Sequence, residues 1–211
     1  ADKGIIKAAD KRLAELTFLM DWDISSAFDQ ATGLGRQHTT GPWTAEDHLQ
    51  AALDAENSGA WADAAAYTGA ALNLTDDAGN WGDFARRQLE AGRASPDNQW
   101  YFYNQALMSS INAYLRAEDP ALRHTILVGM RDALEANGRG RDKVQALRLA
   151  QSLQERTDTA AALEEAIALY GFRITETLVQ SDLARPRICA TFSEDLAATG
   201  VDYSTYVELT E

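Results

Sequence analysis

A single cysteine, Cys189, stands in the 211 residues. With no second thiol the chain can build neither an internal disulfide framework nor a zinc site of the Cys-x-x-Cys type. Positive charge is also scarce: 19 Lys and Arg face 32 Asp and Glu, a net charge of −13, and both ends of the chain share the acidic excess. Partners bound by neutralising phosphates need a basic stripe, so nucleic acid is not expected. The longest nearly apolar run, Ile126 to Met130, falls far short of the roughly 18 residues that span a bilayer. The chain opens on Ala1-Asp2-Lys3, which reads as a trimmed or mature piece of a soluble protein. Prolines number four, at 42, 96, 120 and 186, and the rest is rich in the residues that cost least in a helix.

The helical rhythm is read from spacing. Ile5, Ala9, Leu13, Leu16 and Met20 fall on one helical face, and Ile24, Ala27, Phe28, Ala31 and Leu34 continue the pattern, predicting a helical hairpin over residues 2–35. Asp21 or Asp23 is the expected cap between its arms, and Gly33 and Gly35 are expected to end it before a loop from Gln37 to Pro42. Thr44 and Asp47 form a capping box that starts a helix running to about Asn57, which Gly59 ends. The order Gly59, Trp61, Ala64, Tyr67, Ala71, Leu72, Leu74 is similar to the turn and second helix of a tetratricopeptide repeat, with Trp61 expected between paired helices. Trp81, Phe84 and Leu89 predict a helix that stops near Gly92. Two cap-and-proline pairs, Ser95-Pro96 and Asp119-Pro120, launch helices carrying Leu107, Ile111 and Tyr114, then Ile126, Leu127 and Leu134. Asn137-Gly138 closes the last of these. Further helices are expected from Asp142 and from a cap at Asp158. The fold class predicted is mainly α: stacked antiparallel helix pairs of tetratricopeptide-like geometry over 1–171, followed by a short C-terminal β segment.

At Gly171 the period changes. Phe172, Ile174, Glu176 and Leu178 alternate with polar residues, as do Ile188, Ala190 and Phe192 around Cys189, which predicts two strands joined by a polar loop from Gln180 to Arg185. Val201 to Leu209 is a candidate third. Residues 172–211 are too few to bury a sandwich core. They read as the opening strands of a truncated β domain that needs an apolar partner, and a strand-exchanged homodimer is one way to supply it.

The stretch Tyr170 to Ile174 together with Arg185-Pro186-Arg187-Ile188-Cys189-Ala190-Thr191-Phe192-Ser193-Glu194 resembles the entry to the first macroglobulin-type β-sandwich of bacterial alpha-2-macroglobulin family proteins. Upstream, Gly69 to Asp77 and the helix end from Asn112 to Asp119 resemble the helical region that precedes that sandwich in some of them. The resemblance implies a periplasmic location, a role in a protease inhibitor, and as partners the other domains of the parent chain, proteases or periplasmic proteins. It does not bring the family's thioester, because Cys189 is followed by Ala190, Thr191 and Phe192 and not by the Cys-x-x-Gln-like setting.

Catalytic chemistry is not signalled. His38, His48 and His124 never share the i, i+4 spacing that puts two ring nitrogens on one metal. Asp21, Asp23 and Asp29 read as capping residues, and Asp76-Asp77 and Glu164-Glu165 as solvated surface. No Gly-x-Ser-x-Gly elbow occurs, and Gly33-Leu34-Gly35 lacks the third glycine of a dinucleotide loop. Cys189 is expected half-buried in its strand. No catalytic residue, cofactor or metal is assigned. The candidate partner contacts are Trp100, Tyr101 and Tyr103, because the four consecutive aromatics 100–103 point around the helix and at least one must face outward. Two readings follow: a non-catalytic helical spacer or docking module of an alpha-2-macroglobulin-like inhibitor, or a free-standing tetratricopeptide-like adaptor binding a peptide or protein.

Overall fold

The structure is a computed structural model that describes residues 11–181, 187–193, 196, 200–202 and 206. Its helices are α1 (described over residues 11–15), α2 (Asp21–Gln37), α3 (Ala45–Asn57), α4 (Trp61–Leu72), α5 (Ala78–Ala94), α6 (Gln99–Arg116), α7 (Pro120–Ala136), α8 (Gly140–Leu153) and α9 (Thr157–Tyr170). Two strands, β1 (Ile174–Gln180) and β2 (Arg187–Phe192), follow. The fold is mainly α with a short C-terminal β segment. By its internal contacts the chain divides into two compact units, Ala1–Leu169 and Tyr170–Glu211.

Within the helical unit, contact is heaviest in the successive pairs α3–α4, α5–α6 and α7–α8, and lighter between pairs. Short turns join the partners, so neighbours run antiparallel. The local signals that set these turns act as the sequence predicts. Thr44 Oγ1 accepts from Asp47 N at 3.2 Å while Asp47 Oδ2 accepts from Thr44 N at 2.9 Å, a complete capping box. Asp119 Oδ2 accepts from Leu122 N at 3.1 Å with Pro120 in the first turn. Gly59 and Gly138 close α3 and α7 at φ 76° and 71°, where a Cβ would clash with the backbone.

Several expectations are corrected. Met20 ends no helix: a turn precedes it, its backbone caps α2, and Asp23 works from the third helical position by accepting Met20 N at 2.8 Å. α2 runs through Gly33 and Gly35 to Gln37, because Gly33 and Leu34 are buried against neighbouring helices and packing outweighs the poor propensity of glycine. Ser95 makes no side-chain cap; Pro96–Asn98 forms a 3-10 turn and α6 begins at Gln99. α9 begins one residue before Asp158, whose Oδ1 accepts from Thr159 N at 2.8 Å.

The core is centred on Trp81, Phe84, Leu107, Ile111, Tyr114, Leu127, Met130 and Leu134, all essentially inaccessible. Trp61, expected between paired helices, is only half-buried at the first position of α4. The tryptophan that fills the core is Trp81. Its indole Nε1 donates to Asp76 Oδ1 at 3.0 Å, and the Arg116 guanidinium sits 5.0 Å from its ring centre while pairing with the same Asp76. Asp76 and Asp77 are both exposed, as expected, and Asp76 is in addition the acceptor for Trp81 while Asp77 caps α5 through its Oδ1 on Asn80 N.

α2 lies against α6 and reaches α4. A polar ladder beside the buried Ala27 and Leu34 holds it there. Gln30 Nε2 donates to Ser109 Oγ at 3.0 Å and to Gln105 Oε1 at 2.8 Å, Ser109 Oγ donates to Gln88 Oε1 at 2.8 Å, and Asn112 Nδ2 donates to Ala27 O at 2.8 Å. Each rung satisfies a buried polar group that would otherwise cost about 1–3 kcal/mol.

In the second unit β1 and β2 pair antiparallel, with Leu178 opposite Cys189 and an irregularity between Ile174 and Glu176. Phe172 and Phe192 stack at 5.2 Å. Phe172, Ile174, Val179 and Ile188 are more than half exposed, and Cys189 is exposed where half-burial was expected, since a two-stranded hairpin has no second layer. Of the candidate strand from Val201 to Leu209, only Val201, Asp202 and Tyr206 are described, none of them in a strand, and the rest lies outside the described residues.

Candidate functional site

Titratable groups come first, because catalysis needs several of them converging. Among the described residues, several of them form ion pairs that tie helices together. Glu56 is clasped by Arg86 through two bonds of 2.7 and 2.8 Å and by Arg87 Nε at 3.0 Å, and Arg87 goes on to donate to Thr68 Oγ1 at 2.7 Å. The Arg86 clasp is the main reason Glu56 titrates far below an ordinary carboxyl, at about 2. The pair ties α3 to α5 across α4. Asp23, fully buried, meets Arg139 Nη1 at 2.7 Å, and Arg139 Nε meets Asp142 Oδ2 at 2.6 Å, which locks the start of α2 to the α7–α8 turn. The Tyr114 hydroxyl donates to Glu15, and burial raises its pKa well above that of free tyrosine.

The three histidines are packed singly. His38 caps α2 at its C-terminal end and meets Phe84 edge-on at 5.6 Å. His48 Nε2 lies 2.9 Å from Thr40 O, and its ring joins Trp43 and Tyr67 in one aromatic cluster. His124 Nε2 lies 2.9 Å from Thr159 Oγ1. Burial lowers the pKa of His38 and of His124. Among the described residues no three His, Cys, Asp or Glu side chains stand close enough to hold a metal ion, and no described helix is long and apolar enough to cross a membrane.

The aromatic run on α6 separates as its geometry requires. Trp100 is 75% exposed and Tyr101 51% exposed, with Phe102 edge-on to Tyr101 at 5.4 Å. Tyr103 turns inward instead. Its ring lies so close to Gly92 that a Cβ on residue 92 would stand 2.5 Å from Tyr103 Cε1, so Tyr103 is a packing residue and Gly92 a point of close helix approach. Of the three candidate contacts, Trp100 and Tyr101 are on the surface.

A concavity of the helical unit lies elsewhere, between α5 and α7 where both rest on α6. It is a groove of about 540 Å³ whose apolar surface comes from Ala85, Leu89, Leu122, Ile126 and Ala133. Gly129, in the middle of α7, also faces it, with nothing within 4 Å of where a Cβ would project. Five charged side chains line this groove, and each has an opposite charge beside it: Arg86 with Glu56 and Asp83, Arg93 with Glu90, and Asp132 with Arg131. An apolar trough with a neutralised rim is suited to an apolar segment of chain and offers no acid, base or nucleophile convergence for a reaction. Sequence periodicity cannot reveal it, because α5 and α7 are not consecutive and meet only once α6 has folded between them.

A comparison with protein-family models, with curated proteins and with solved structures finds no significant match to this chain.

Proposed function

We propose that the chain is a non-catalytic helical docking module whose α5–α7 groove receives an apolar peptide segment. The observation that carries this reading is Gly129. A mid-helix glycine costs roughly 0.5–1 kcal/mol relative to alanine, and here the space beside it is open, so packing within the unit does not demand it. A segment approaching the α7 backbone does. Concave faces of stacked helix pairs are where such scaffolds take up partners.

The resemblance of Arg185–Glu194 to the macroglobulin entry strand supports placing the module in a periplasmic alpha-2-macroglobulin-like protease inhibitor, as a docking or spacing element for another domain of the parent chain or for a protease. The groove is built from α5, α6 and α7 alone, which favours the second reading, a free-standing adaptor, to the same degree. One experiment separates them. A photoreactive side chain is placed at Thr125, exposed in the groove, and for comparison at Asp97, exposed outside it. A discrete adduct from 125 and not from 97 supports docking; an adduct within a longer parent chain indicates the spacer, and one to a separate polypeptide the adaptor. Equal labelling from both positions, or none from 125, overturns the groove as a docking site.

A further inference from the structure

Every residue that lines the α5–α7 groove lies on a helix: Gly79 to Arg93 on α5, Ser110 on α6 and Leu122 to Ala133 on α7. Away from the groove's two ends, at Gly79 and Arg93, the backbone groups of these residues are bonded within their helices, and Leu122 N is taken by the Asp119 cap. An extended segment in this trough would find no row of donors or acceptors to join, and each of its own buried N–H and C=O groups would go unpaired. A helix pairs its own backbone and brings only side chains. Charge narrows the class further. Asp83, Arg86, Glu90, Arg93 and Asp132 each hold an opposite charge from this chain, so a charged contact face would lose water without gaining a free counter-ion.

The floor sets where the large and small side chains of such a helix fall. At Ile126, whose Cγ1 lies 3.8 Å from the Cβ position of Gly82, the two walls meet and the trough is shallow. At Gly129 nothing lies within 4 Å of the Cβ position, and the α7 wall has no side chain. The two positions are three residues, about 4.5 Å, apart along α7, close to one turn of a facing helix. We propose that the α5–α7 groove seats a partner α-helix with an uncharged contact face, one bulky side chain of which fills the space over Gly129 while a small residue three or four positions away crosses the pinch at Ile126. The α5 wall from Gly79 to Arg93 is about 21 Å long, so about 14 residues of that helix are in contact. This inference rests on the reading of the groove as a docking site and adds the class of its occupant.

The test is fluorescence anisotropy of labelled peptides against the full chain. The first is a helical peptide of about 16 residues, with Lys and Glu in equal number on its outer face, leucine and alanine on its contact face, and a central leucine three residues from an alanine. The second differs only in two central outer-face residues replaced by proline, which breaks the helix. The helical peptide is expected to bind about tenfold more tightly than the proline peptide, with little change as salt rises from about 0.05 to 0.5 M. Gly129→Leu, which puts a side chain where the central leucine goes, is expected to weaken it about tenfold. A peptide with that leucine shortened to alanine is expected to bind Gly129→Leu at least as tightly as it binds the unaltered chain. Circular dichroism melts confirm that the variants are folded. If the proline peptide binds as tightly as the helical one and Gly129→Trp abolishes both, the groove docks a segment that is not a helix, and the inference falls while the docking reading stands. If neither Gly129→Leu nor Gly129→Trp alters binding of the helical peptide, its seat is elsewhere and the inference falls; the Thr125 photoadduct, which uses no designed peptide, reports separately on the docking reading. A helical peptide that does not bind, or that salt releases, overturns the inference as well.

Discussion

Ile126 Cγ1 stands 3.8 Å from the place that a Cβ on Gly82 would occupy, so α5 and α7 meet there through one small residue and one branched one. Their side chains diverge on either side of that point, and the trough lined by Leu89, Leu122 and Ala133 opens as a result. Gly129, unlike Gly82, has no neighbour to accommodate. Gly129→Ala is therefore expected to raise stability by roughly 0.5–1 kcal/mol, measured as the urea midpoint at constant slope. A loss of stability would mean that an alanine methyl is not accommodated there.

Trp81 and Trp61 differ in burial, and their truncations should differ accordingly. Trp81→Ala removes a fully buried ring together with the Asp76 and Arg116 contacts, and is expected to cost about 3–5 kcal/mol. Trp61→Ala, half-buried at a helix start, is expected to cost about 1 kcal/mol. Chemical denaturation of the two variants checks the order, and a larger loss at Trp61 contradicts it.

The Glu56 clasp gives an acid signature. Its carboxyl is held at about 2 in the folded chain, chiefly by Arg86, against an ordinary 4.5. A depressed carboxyl contributes its full stabilisation above pH 4.5 and loses it as pH falls through about 2. Glu56→Gln is expected to be less stable than the unaltered chain at pH 7 by about 1–3 kcal/mol, with the gap narrowing below pH 4.5. A gap that stays constant down to pH 2.5 would mean that Glu56 titrates normally.

His124 works over a higher range. Burial is the main cause of its lowered pKa, with Arg156 adding to it and Asp158 opposing it. The neutral ring is favoured in the folded chain, so this contribution is complete above about pH 6.5 and is lost as pH falls toward the lowered value. His124→Gln should therefore flatten the decline in stability between pH 7.5 and 5.5, leaving the part that belongs to His38, whose pKa burial also lowers. Urea midpoints at the two pH values decide it; an undiminished decline contradicts the assignment.

The exposed hairpin leads to one more expectation. Two strands with Phe172, Ile174, Val179 and Ile188 more than half exposed are marginal alone, and among the described residues no third strand pairs with them. The chain is expected to self-associate as concentration rises, and a chain ending at Gly171 to remain monomeric. Light scattering across a concentration series checks this, and identical behaviour of the two chains contradicts it.

What the sequence revealed was local. Thr44 with Asp47, Asp119 with Pro120, and the turn glycines 59 and 138 act on the few residues beside them, and each marks its helix boundary within a residue or two. The alternation around Ile188 likewise marked its strand. Burial was less legible, because Trp61 and Trp81 occupy similar positions near helix starts and only the stacking of pairs decides which is enclosed. The role of Asp23 was hidden because its partner, Arg139, lies 116 residues away. The α5–α7 groove escaped periodicity for the same reason: a helical pattern records which face is apolar but not which neighbour leaves part of that face uncovered. Trp100 and Tyr101 were visible as an excess of aromatics on α6 and are exposed, and neither lines the α5–α7 groove.

The most direct measurement of the docking account is the yield of the Thr125 photoadduct when the groove is filled by Gly129→Trp, a position with open space around it. The account predicts that the adduct disappears while the melting curve stays within a few degrees of the unaltered chain, and that Gly129→Ala, whose methyl stands where the segment approaches the α7 backbone, weakens it. An undiminished adduct in a folded Gly129→Trp chain would contradict the claim that the α5–α7 groove is where a partner sits.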